Sequence, residues 1–295
     1  MPLKIAIFGN EVKKEYVPVY QRMFQFFQSQ SVGYVLHSGV KERLLNKFGI
    51  DVANVEVFTH NLDAYQNINL VLSIGGDGTF LSAVSYVAGR NIPVAGINCG
   101  RLGFLADIPS ENLEEHLQQF INGNFEIESR SMIQIVHPHA LFPNFNYAVN
   151  ELTVHKLDNS SMIKIETFID GEFMANYWAD GLIVSTPTGS TAYALSVGGP
   201  IVVPDLSGFV ITPIASHNLT VRPVVVPDDV EIELKVEGRG QQFMVSFDHR
   251  SQALDFSETI KIRKATESVS VVKLHGQSFY STLRNKMMWG ADRRN

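Results

Sequence analysis

The 295-residue sequence contains a single cysteine and no long apolar run. With Cys99 alone, an intrachain disulfide and a thiolate zinc site are both excluded. No apolar stretch approaches the roughly 20 residues that cross a bilayer, and the first residues show no signal-peptide pattern. We therefore predict a protein of the reducing cytoplasm that has no membrane partner.

Basic charge is also scarce. The net charge is −6, with 24 lysines and arginines in the whole chain, whereas proteins that bind nucleic-acid duplexes are usually basic. We predict no nucleic-acid partner. If the ligands carry phosphate, backbone N–H groups, a metal ion and a few basic side chains must offset their charge locally.

Two common phosphate-binding motifs are missing. The chain has no G-x-x-x-x-G-K-[ST] sequence. The first predicted strand, residues 3–8, is followed by Gly9-Asn10-Glu11 and not by G-x-G-x-x-G. A Walker-type NTPase and an ordinary dinucleotide dehydrogenase are both disfavoured.

The hydrophobic pattern divides the chain into two domains, as its length also suggests. Residues 1–125 alternate strand and helix signals, which predicts an α/β domain whose parallel sheet has flanking helices. Residues 126–275 read mostly as antiparallel strands. A helix over residues 278–288 is predicted to return to the first domain, which then comprises residues 1–125 and 276–295.

A glycine-rich turn is the most informative feature. An apolar strand over residues 70–74 runs into Gly75-Gly76-Asp77-Gly78-Thr79, and a helical pattern follows, with Thr79 as its expected N-cap. Glycines let the backbone approach a ligand, and N–H groups at a helix N-terminus face anions. A carboxylate beside a phosphate repels it unless it handles a proton or a metal. Asp77 therefore indicates phosphoryl transfer, the alternative being a tight turn that merely uses glycine.

A hydroxyl-rich segment follows a second strand. Its hydroxyls can donate to ribose, base or phosphate oxygens, and Tyr193 offers a ring on which a base can stack. The alternative is capping and turn chemistry, which needs one or two hydroxyls. Five hydroxyl side chains fall within seven residues: Ser185, Thr186, Thr188, Ser190 and Thr191.

Three further segments give weaker indications of a binding site: the pair Asn150-Glu151, the carboxylate of Asp248 and the loop 98–104. Asn150-Glu151 places an amide beside a carboxylate, which suits an adenine edge and a ribose diol, although such a pair is also common in solvated turns. Asp248 lies in an edge strand or turn, where a surface role is the alternative. The loop 98–104 follows a strand and is expected at the sheet edge that also holds Gly75 to Thr79.

Together these segments resemble the NAD kinase family over nearly the whole chain. Diacylglycerol, sphingosine and phosphofructo kinases share the glycine-rich segment from Gly75 to Thr79. The Asn150-Glu151 pair and the segment from Asp180 to Tyr193 are far more restricted to NAD kinases. The marks are Gly75-Gly76-Asp77-Gly78-Thr79, Asn98-x-Gly100-x-Leu102-Gly103-Phe104-Leu105, Asn150-Glu151, Asp180-Gly181 with Ser185 to Tyr193, and Gly198-Gly199-Pro200.

The resemblance implies an N-terminal α/β domain, a β-sandwich-like C-terminal domain that binds NAD, and a returning C-terminal helix. It implies transfer of the terminal phosphate of ATP to the 2′-hydroxyl of the adenosine ribose of NAD. Asp77 would be the base, and Gly75, Gly76, Gly78 and Thr79 would meet the ATP phosphates. A homodimer or homotetramer is expected.

The resemblance also assigns the dinucleotide pocket. Asn150 and Glu151 would hold adenosine groups, Asp180 would face the nicotinamide end, and Asp248 would lie near the adenosine ribose. The adenine pocket and its surroundings would be lined by Thr188, Thr191, Ala192, Tyr193 and Ser196, with Asp77 and Gly78 also contacting NAD. No metal-ligand spacing is present, so Mg²⁺ or Mn²⁺ is expected to arrive mainly on the ATP phosphates.

One departure from the family pattern concerns Trp178, where many relatives carry Arg or Gly. That position bears on the choice between NAD and NADH, so Trp178 is assigned to the same pocket as Asp180. Two other functions stay open from the sequence. One is a lipid or sugar kinase that shares the glycine turn, and the other is a non-catalytic NAD(P)-binding regulator.

Overall fold

A computed structural model describes residues 3–59, 62, 65, 67–87, 89–100, 103–139, 141–157 and 161–290. The chain forms two compact units. Unit 1 comprises residues 1–129 and 269–295, and unit 2 comprises residues 130–268. Unit 2 is thus an insertion in the chain of unit 1.

Unit 1 begins with alternating strands and helices. In chain order these are β1 (Lys4–Phe8), α1 (Val17–Ser29), β2 (Gly33–His37), α2 (Ser38–Phe48), β3 (Val57–Phe58), β4 (Leu70–Gly75), α3 (Asp77–Val84), β5 (Val94–Asn98), β6 (Ile108–Pro109) and α4 (Leu113–Asn122).

The strands of unit 1 form a parallel sheet in the order β3-β2-β1-β4-β5. β4 is buried along its whole length, as expected of a central strand with helices on both faces. Gly49 and Gly123 end α2 and α4 in the left-handed conformation, which glycine adopts without steric cost. This parallel register places the C-terminal ends of β4 and β5 side by side, with Gly75 paired to Asn98.

The chain leaves unit 1 within β7 and returns to it within β18. The remaining elements are β7 (Phe125–His137), β8 (Tyr147–Ala148), β9 (Glu151–Lys156), β10 (Ile163–Ile169), β11 (Glu172–Ala179), β12 (Gly181–Ser185), α5 (Tyr193–Ser196), β13 (Phe209–Ile214), β14 (Val224–Val226), β15 (Ile232–Glu237), β16 (Gln242–Phe247), β17 (Arg250–Asp255), β18 (Thr259–Leu274) and α6 (Phe279–Met287).

Unit 2 is built from two antiparallel sheets. One contains β11-β10-β15-β18 in that order, and the other is β14-β13-β12-β9-β16-β17. Alternate residues such as Leu234 of β15 and Val245 of β16 contribute to one shared core, the arrangement of a β-sandwich. The predicted fold class is confirmed: an α/β unit, an antiparallel β unit and a C-terminal helix.

Some local predictions are wrong. The N-cap of α3 is Gly76 and not Thr79, because the helix already begins at Asp77. The sequence also predicts a helix near residues 190–197, where the structure has a 3-10 turn (Thr188–Thr191) followed by the four residues of α5. The sequence also predicts two strands, over residues 259–263 and 269–273, where the structure has the single strand β18. Helix propensity and turn chemistry do not fix such boundaries, which depend on packing.

Within the described ranges, no helix combines the length and the apolar character that crossing a bilayer requires.

Candidate active site

The glycine-rich turn joins β4 to the N-terminus of α3 in unit 1. Gly75 has φ +154°, and a β-carbon there would overlap the side chain of Thr79. Gly76 has an extended backbone. Apart from chain neighbours and the backbone of α3, no atom of the described residues lies within 4 Å of a β-carbon built on Gly76 or Gly78. The turn therefore leaves open space in front of the first N–H groups of α3, where an anion is favoured.

Asp77 directs its carboxylate at the segment that follows β5. Oδ2 accepts a hydrogen bond from the N–H of Phe104 at 3.0 Å. Oδ1 accepts two, from Leu105 at 3.0 Å and Ala106 at 2.8 Å. Three N–H donors stabilise a charged carboxylate. Oδ2 keeps more free acceptor capacity than Oδ1, and the side chain is 31% exposed. Asp77 thus orders a loop and still offers one oxygen to a ligand.

Asn98 holds the same loop from the other side. Its Nδ2 donates to the carbonyl of Ala106 at 3.0 Å, and its Oδ1 accepts from the N–H of Gly100 at 2.8 Å. The loop therefore lies at the carboxyl edge of the sheet beside the glycine turn, where open α/β sheets bind ligands. Arg101 and Leu102, which belong to the predicted loop motif, lie outside the described residues.

In unit 2, Asp248 organises the Asn150-Glu151 pair. It occupies the turn between β16 and β17 with φ +52°. Its carboxylate accepts the N–H groups of Val149 at 2.8 Å, Asn150 at 2.9 Å and Glu151 at 3.1 Å. Burial raises the pKa of Asp248, although the three N–H donors favour the charged form. Asp248 acts on the pair through the backbone and is not a plain surface residue.

Glu151 is a buried carboxyl beside a second carboxyl. Burial raises its pKa to about 8, and the charge of Asp248 adds to the rise, whereas a hydrogen bond from the backbone of Tyr193 acts in the opposite direction. Among the described residues, Oε2 of Glu151 has no hydrogen-bond partner. Asn150 is 8% exposed. The interpretation of this pair as a solvated turn is therefore wrong.

The hydroxyl-rich segment uses several of its hydroxyls on itself. The hydroxyl oxygen of Thr186 accepts the N–H of Gly189 at 3.1 Å, and it also donates to the carbonyl of Val149, outside the segment, at 2.6 Å. Ser190 donates to Pro187 at 2.7 Å, and Thr191 donates to Thr188 at 3.2 Å. The sequence argument that turn chemistry needs only one or two hydroxyls is therefore wrong, because three of the five close the turn.

The other predicted residues of this segment differ in exposure. Thr188 is 7% exposed, whereas Tyr193 is 41% exposed and presents its ring at the surface of unit 2. Ala192 and Thr191 are half-buried, and Ser196 is exposed. Gly189 packs against the backbone of Asn150 so closely that a β-carbon would overlap its carbonyl. This contact joins the segment to the Asn150-Glu151 pair.

Asp180 and Trp178 line one cavity of about 630 Å³ in unit 2. Nζ of Lys156 lies 2.6 Å from Oδ1 of Asp180. Trp178 is 46% exposed, and its backbone N–H donates to Oδ1 of Asn218 at 2.9 Å. The sequence also leaves open a role for Trp178 in the core or in a subunit interface, and its exposure rules out the core. The cavity is bordered by further polar side chains: Lys164, His217, Glu237 and Arg239.

Sequence reasoning missed three residues of these sites. Lys286 on α6 lies 3.7 Å from Oδ2 of Asp77. Lys156 pairs with Asp180, and Gly103 packs against Asp77. No local signal could have found Lys286 or Lys156, because both contacts join distant parts of the chain. Gly103 was noted only as part of a motif.

Metal ligands are not grouped in the described part of the chain: no three His, Cys, Asp or Glu side chains there lie close enough to hold one ion. Hard divalent cations in nucleotide-dependent enzymes are often held by substrate phosphates with only one or two carboxylates.

The α/β unit has a glycine-rich turn at a helix N-terminus, and the β unit carries buried carboxylates. This fold and these groups define the class of nucleotide-dependent phosphotransferases. The model for the ATP-NAD kinase N-terminal domain matches residues 5–125, and that for the ATP-NAD kinase C-terminal domain matches residues 149–274. The chain belongs to the NAD kinase family, and the resemblance seen in its sequence is confirmed.

Individual relatives support the same family assignment. The NAD kinase of Flavobacterium johnsoniae is 43% identical over 295 residues, which cover 99% of this chain and 100% of the relative. The NAD kinase of Bacteroides fragilis is 42% identical over 293 residues, 99% and 100% of the two chains. These relatives match at full length, so the family assignment covers both units.

Two solved structures share the fold. Yeast NADH kinase in complex with NADH superposes with a TM-score of 0.86 at 22% identity, covering 99% of this chain and 89% of that chain. An NAD kinase from Archaeoglobus fulgidus in complex with ATP gives a TM-score of 0.75 at 26% identity, covering 97% and 99%.

Proposed function

We propose that this chain transfers the terminal phosphoryl group of ATP to the 2′-hydroxyl of the adenosine ribose of NAD, giving NADP and ADP. The observation that carries the proposal is the carboxylate of Asp77, which is 31% exposed as a side chain, accepts only one backbone N–H of the described residues at Oδ2 and lies at the N-terminus of α3. Membership of both units in the NAD kinase family supports this reaction over a lipid or sugar kinase.

The chemistry follows from charge. A ribose hydroxyl is a weak nucleophile at neutral pH, and a carboxylate within about 3 Å can remove its proton as the new bond forms. The 2′-oxygen bonds to the γ-phosphorus, and the bond from that phosphorus to the oxygen bridging it to the β-phosphorus breaks. The proton goes to Asp77, and the electron pair leaves with ADP. N–H groups at the glycine turn hold the phosphates.

Each unit contributes its own recognition groups in this proposal. Gly75, Gly76, Gly78 and Thr79 meet the phosphates of ATP, and Asp77 and Gly78 also contact NAD. In unit 2, Asn150 and Glu151 hold adenosine groups of NAD, and Asp248 positions them through three backbone N–H groups. The adenine pocket is formed by Thr188, Thr191, Ala192, Tyr193 and Ser196, and the nicotinamide end by Asp180 and Trp178.

We further propose that the divalent cation, Mg²⁺ or Mn²⁺, enters as the complex with ATP, that the chain forms a homodimer or homotetramer, and that it works in the cytoplasm. Burial raises the pKa of the lone thiol, Cys99, to about 12, which disfavours its reactive thiolate form. Rates that follow the concentration of the metal–ATP complex, and light scattering of the purified protein, test the first two statements.

The test of the reaction is an NADP assay with Asp77→Asn. Wild-type protein with ATP, Mg²⁺ and NAD should form NADP. Asp77→Asn should lower turnover by about 10² or more, the contribution of a general base, and keep NAD affinity within a few-fold.

Asp51→Asn is the matched control, because Asp51 also accepts a backbone N–H, that of Ala53, but lies on an exposed loop. It should turn over like the wild type. No NADP from the wild type would favour the non-catalytic regulator. Turnover of Asp77→Asn within threefold of the wild type would remove Asp77 from the mechanism.

A further inference from the structure

Lys286 places a cation next to the carboxylate of Asp77. Its Nζ lies 3.7 Å from Oδ2 of Asp77 and 4.4 Å from the centroid of the Phe104 ring. The first distance is longer than a hydrogen bond, so the ammonium group is held by charge attraction and by the ring face. Its side chain is 32% exposed. Lys286 therefore keeps N–H donors available for another partner.

The helix that carries Lys286 is well anchored in unit 1. A capping box between Ser278 and Ser281 starts α6, and Leu283 is buried. Phe279 packs against Phe104 with ring centroids 6.1 Å apart. Phe104 itself donates its N–H to Asp77. The position of Lys286 relative to the glycine turn is thus fixed by packing on the same loop that Asp77 orders.

Phosphoryl transfer at this turn requires positive charge that the turn does not contain. The segment from Gly75 to Thr79 has no lysine, unlike a P-loop. Its N–H groups carry partial charges only, and Asp77 adds a full negative charge. Among the described residues, Lys286 is the only Lys, Arg or His with a charged nitrogen within 4.0 Å of the Asp77 carboxylate. Of the described residues, it is therefore the nearest source of a compensating full charge.

We propose that Lys286 contacts the transferred phosphoryl group of ATP and stabilises the charge that develops on its oxygens. The inference rests on the proposed function, because it takes Asp77 as the base. An acceptor hydroxyl bonded to Oδ2 of Asp77 places the reacting phosphorus about 3–3.5 Å further on. Nζ lies near the same Oδ2, so a side-chain rotation brings it to a phosphoryl oxygen. Lys286 gives up no proton in this step.

The test compares Lys286→Met with Arg284→Met in the full chain. Arg284 is an exposed cation on the same helix, so its loss matches the change in net charge. Lys286→Met should lower kcat by about 10²–10³, the cost of removing one donor to a developing oxyanion. Calorimetric affinity for NAD and the melting temperature should stay close to wild-type values. Arg284→Met should turn over within twofold of the wild type.

Two further variants separate contact from structure. Lys286→Arg keeps the charge, and its kcat should be at least tenfold higher than that of Lys286→Met. Lys286→Ala should regain activity with added ethylammonium, which a merely structural role would not allow.

The inference is overturned if Lys286→Met stays within threefold of wild-type kcat, if Arg284→Met loses as much, or if the loss is matched by a lower melting temperature without amine rescue. In each case NADP formation by the wild type leaves the proposed function intact. Absence of NADP from the wild type refutes that function instead.

Discussion

Gly103 and Asp77 are in such close contact that only glycine fits at position 103. A β-carbon built on Gly103 would overlap Oδ1 of Asp77 and would lie 2.9 Å from the carbonyl of Ala106. The N–H of Gly103 also donates to that carbonyl at 3.1 Å. The close approach is what allows the three N–H groups of residues 104–106 to reach one carboxylate.

Gly103→Ala should therefore impair catalysis, although the added methyl group does not itself contact the substrate. The methyl group displaces the carboxylate of Asp77, and misplacement of about 1 Å can cost 10²-fold in rate. We expect kcat to fall at least tenfold in the NADP assay. Gly100→Ala is the control, because a β-carbon there meets nothing within 4 Å, and it should behave like the wild type. Equal rates for the two variants would show that the loop relaxes around the methyl group.

Glu151 should make the stability of the protein depend on pH. Its pKa rises from 4.5 to about 8 on folding because the carboxyl is buried beside Asp248. Between these two values the folded state binds a proton that the unfolded state has released. Stability contributed by neutral Glu151 is therefore complete below pH about 4.5 and is lost as pH rises to about 8.

Glu151→Gln tests this dependence, because glutamine resembles the neutral acid and does not titrate. Urea unfolding at pH 5 and pH 9 should show the variant gaining stability relative to the wild type at the higher pH. Asp255→Asn, an exposed carboxylate at the end of β17, should show no such gain. A constant difference between Glu151→Gln and the wild type at both pH values would contradict the raised pKa of Glu151 in the folded state.

Trp178 should favour NAD over NADH. A cation over an indole face gains about 0.5–2 kcal/mol, and only the oxidised nicotinamide ring is positively charged. We expect the ratio of kcat/KM values to favour NAD by roughly two- to thirtyfold, the factor that this energy implies. Trp178→Ala should bring the ratio towards one.

Phe173→Ala is the matched control, because Phe173 is an exposed aromatic residue on the same strand and packs against Phe168. It should leave the ratio unchanged. A Trp178→Ala protein with an unaltered ratio and a lower melting temperature would show that Trp178 serves packing or assembly only.

The sequence predicts those features that depend on short segments. The glycine turn, the Asp170-Gly171 hairpin and α6 follow from local residue chemistry, and the structure contains all three. Asp170 and Gly171 both have positive φ, as a two-residue hairpin turn requires. The alternation of strands and helices likewise predicts the α/β unit.

Features that join distant segments could not be predicted. Whether Asp77 accepts the N–H groups of residues 104–106, or whether Lys286 lies beside it, depends on how β4, β5 and α6 pack. For the same reason, the sequence does not show that the hydroxyls of Thr186, Ser190 and Thr191 are engaged within their own turn. Side-chain periodicity shows which residues are buried but not which polar groups bond to each other.

The insertion of unit 2 into unit 1 has a consequence for biosynthesis. Val271 of β18 pairs with Val94 of β5, and Lys286 follows later still. A ribosome therefore synthesises every residue of unit 2 before it adds Val271, the residue of β18 that pairs with this edge of β5. Until then the nascent unit 1 presents open backbone groups, which are a template for mispairing. The same order places Lys286 after every residue of unit 2, so the growing chain carries the carboxylate of Asp77 long before it carries the cation beside it.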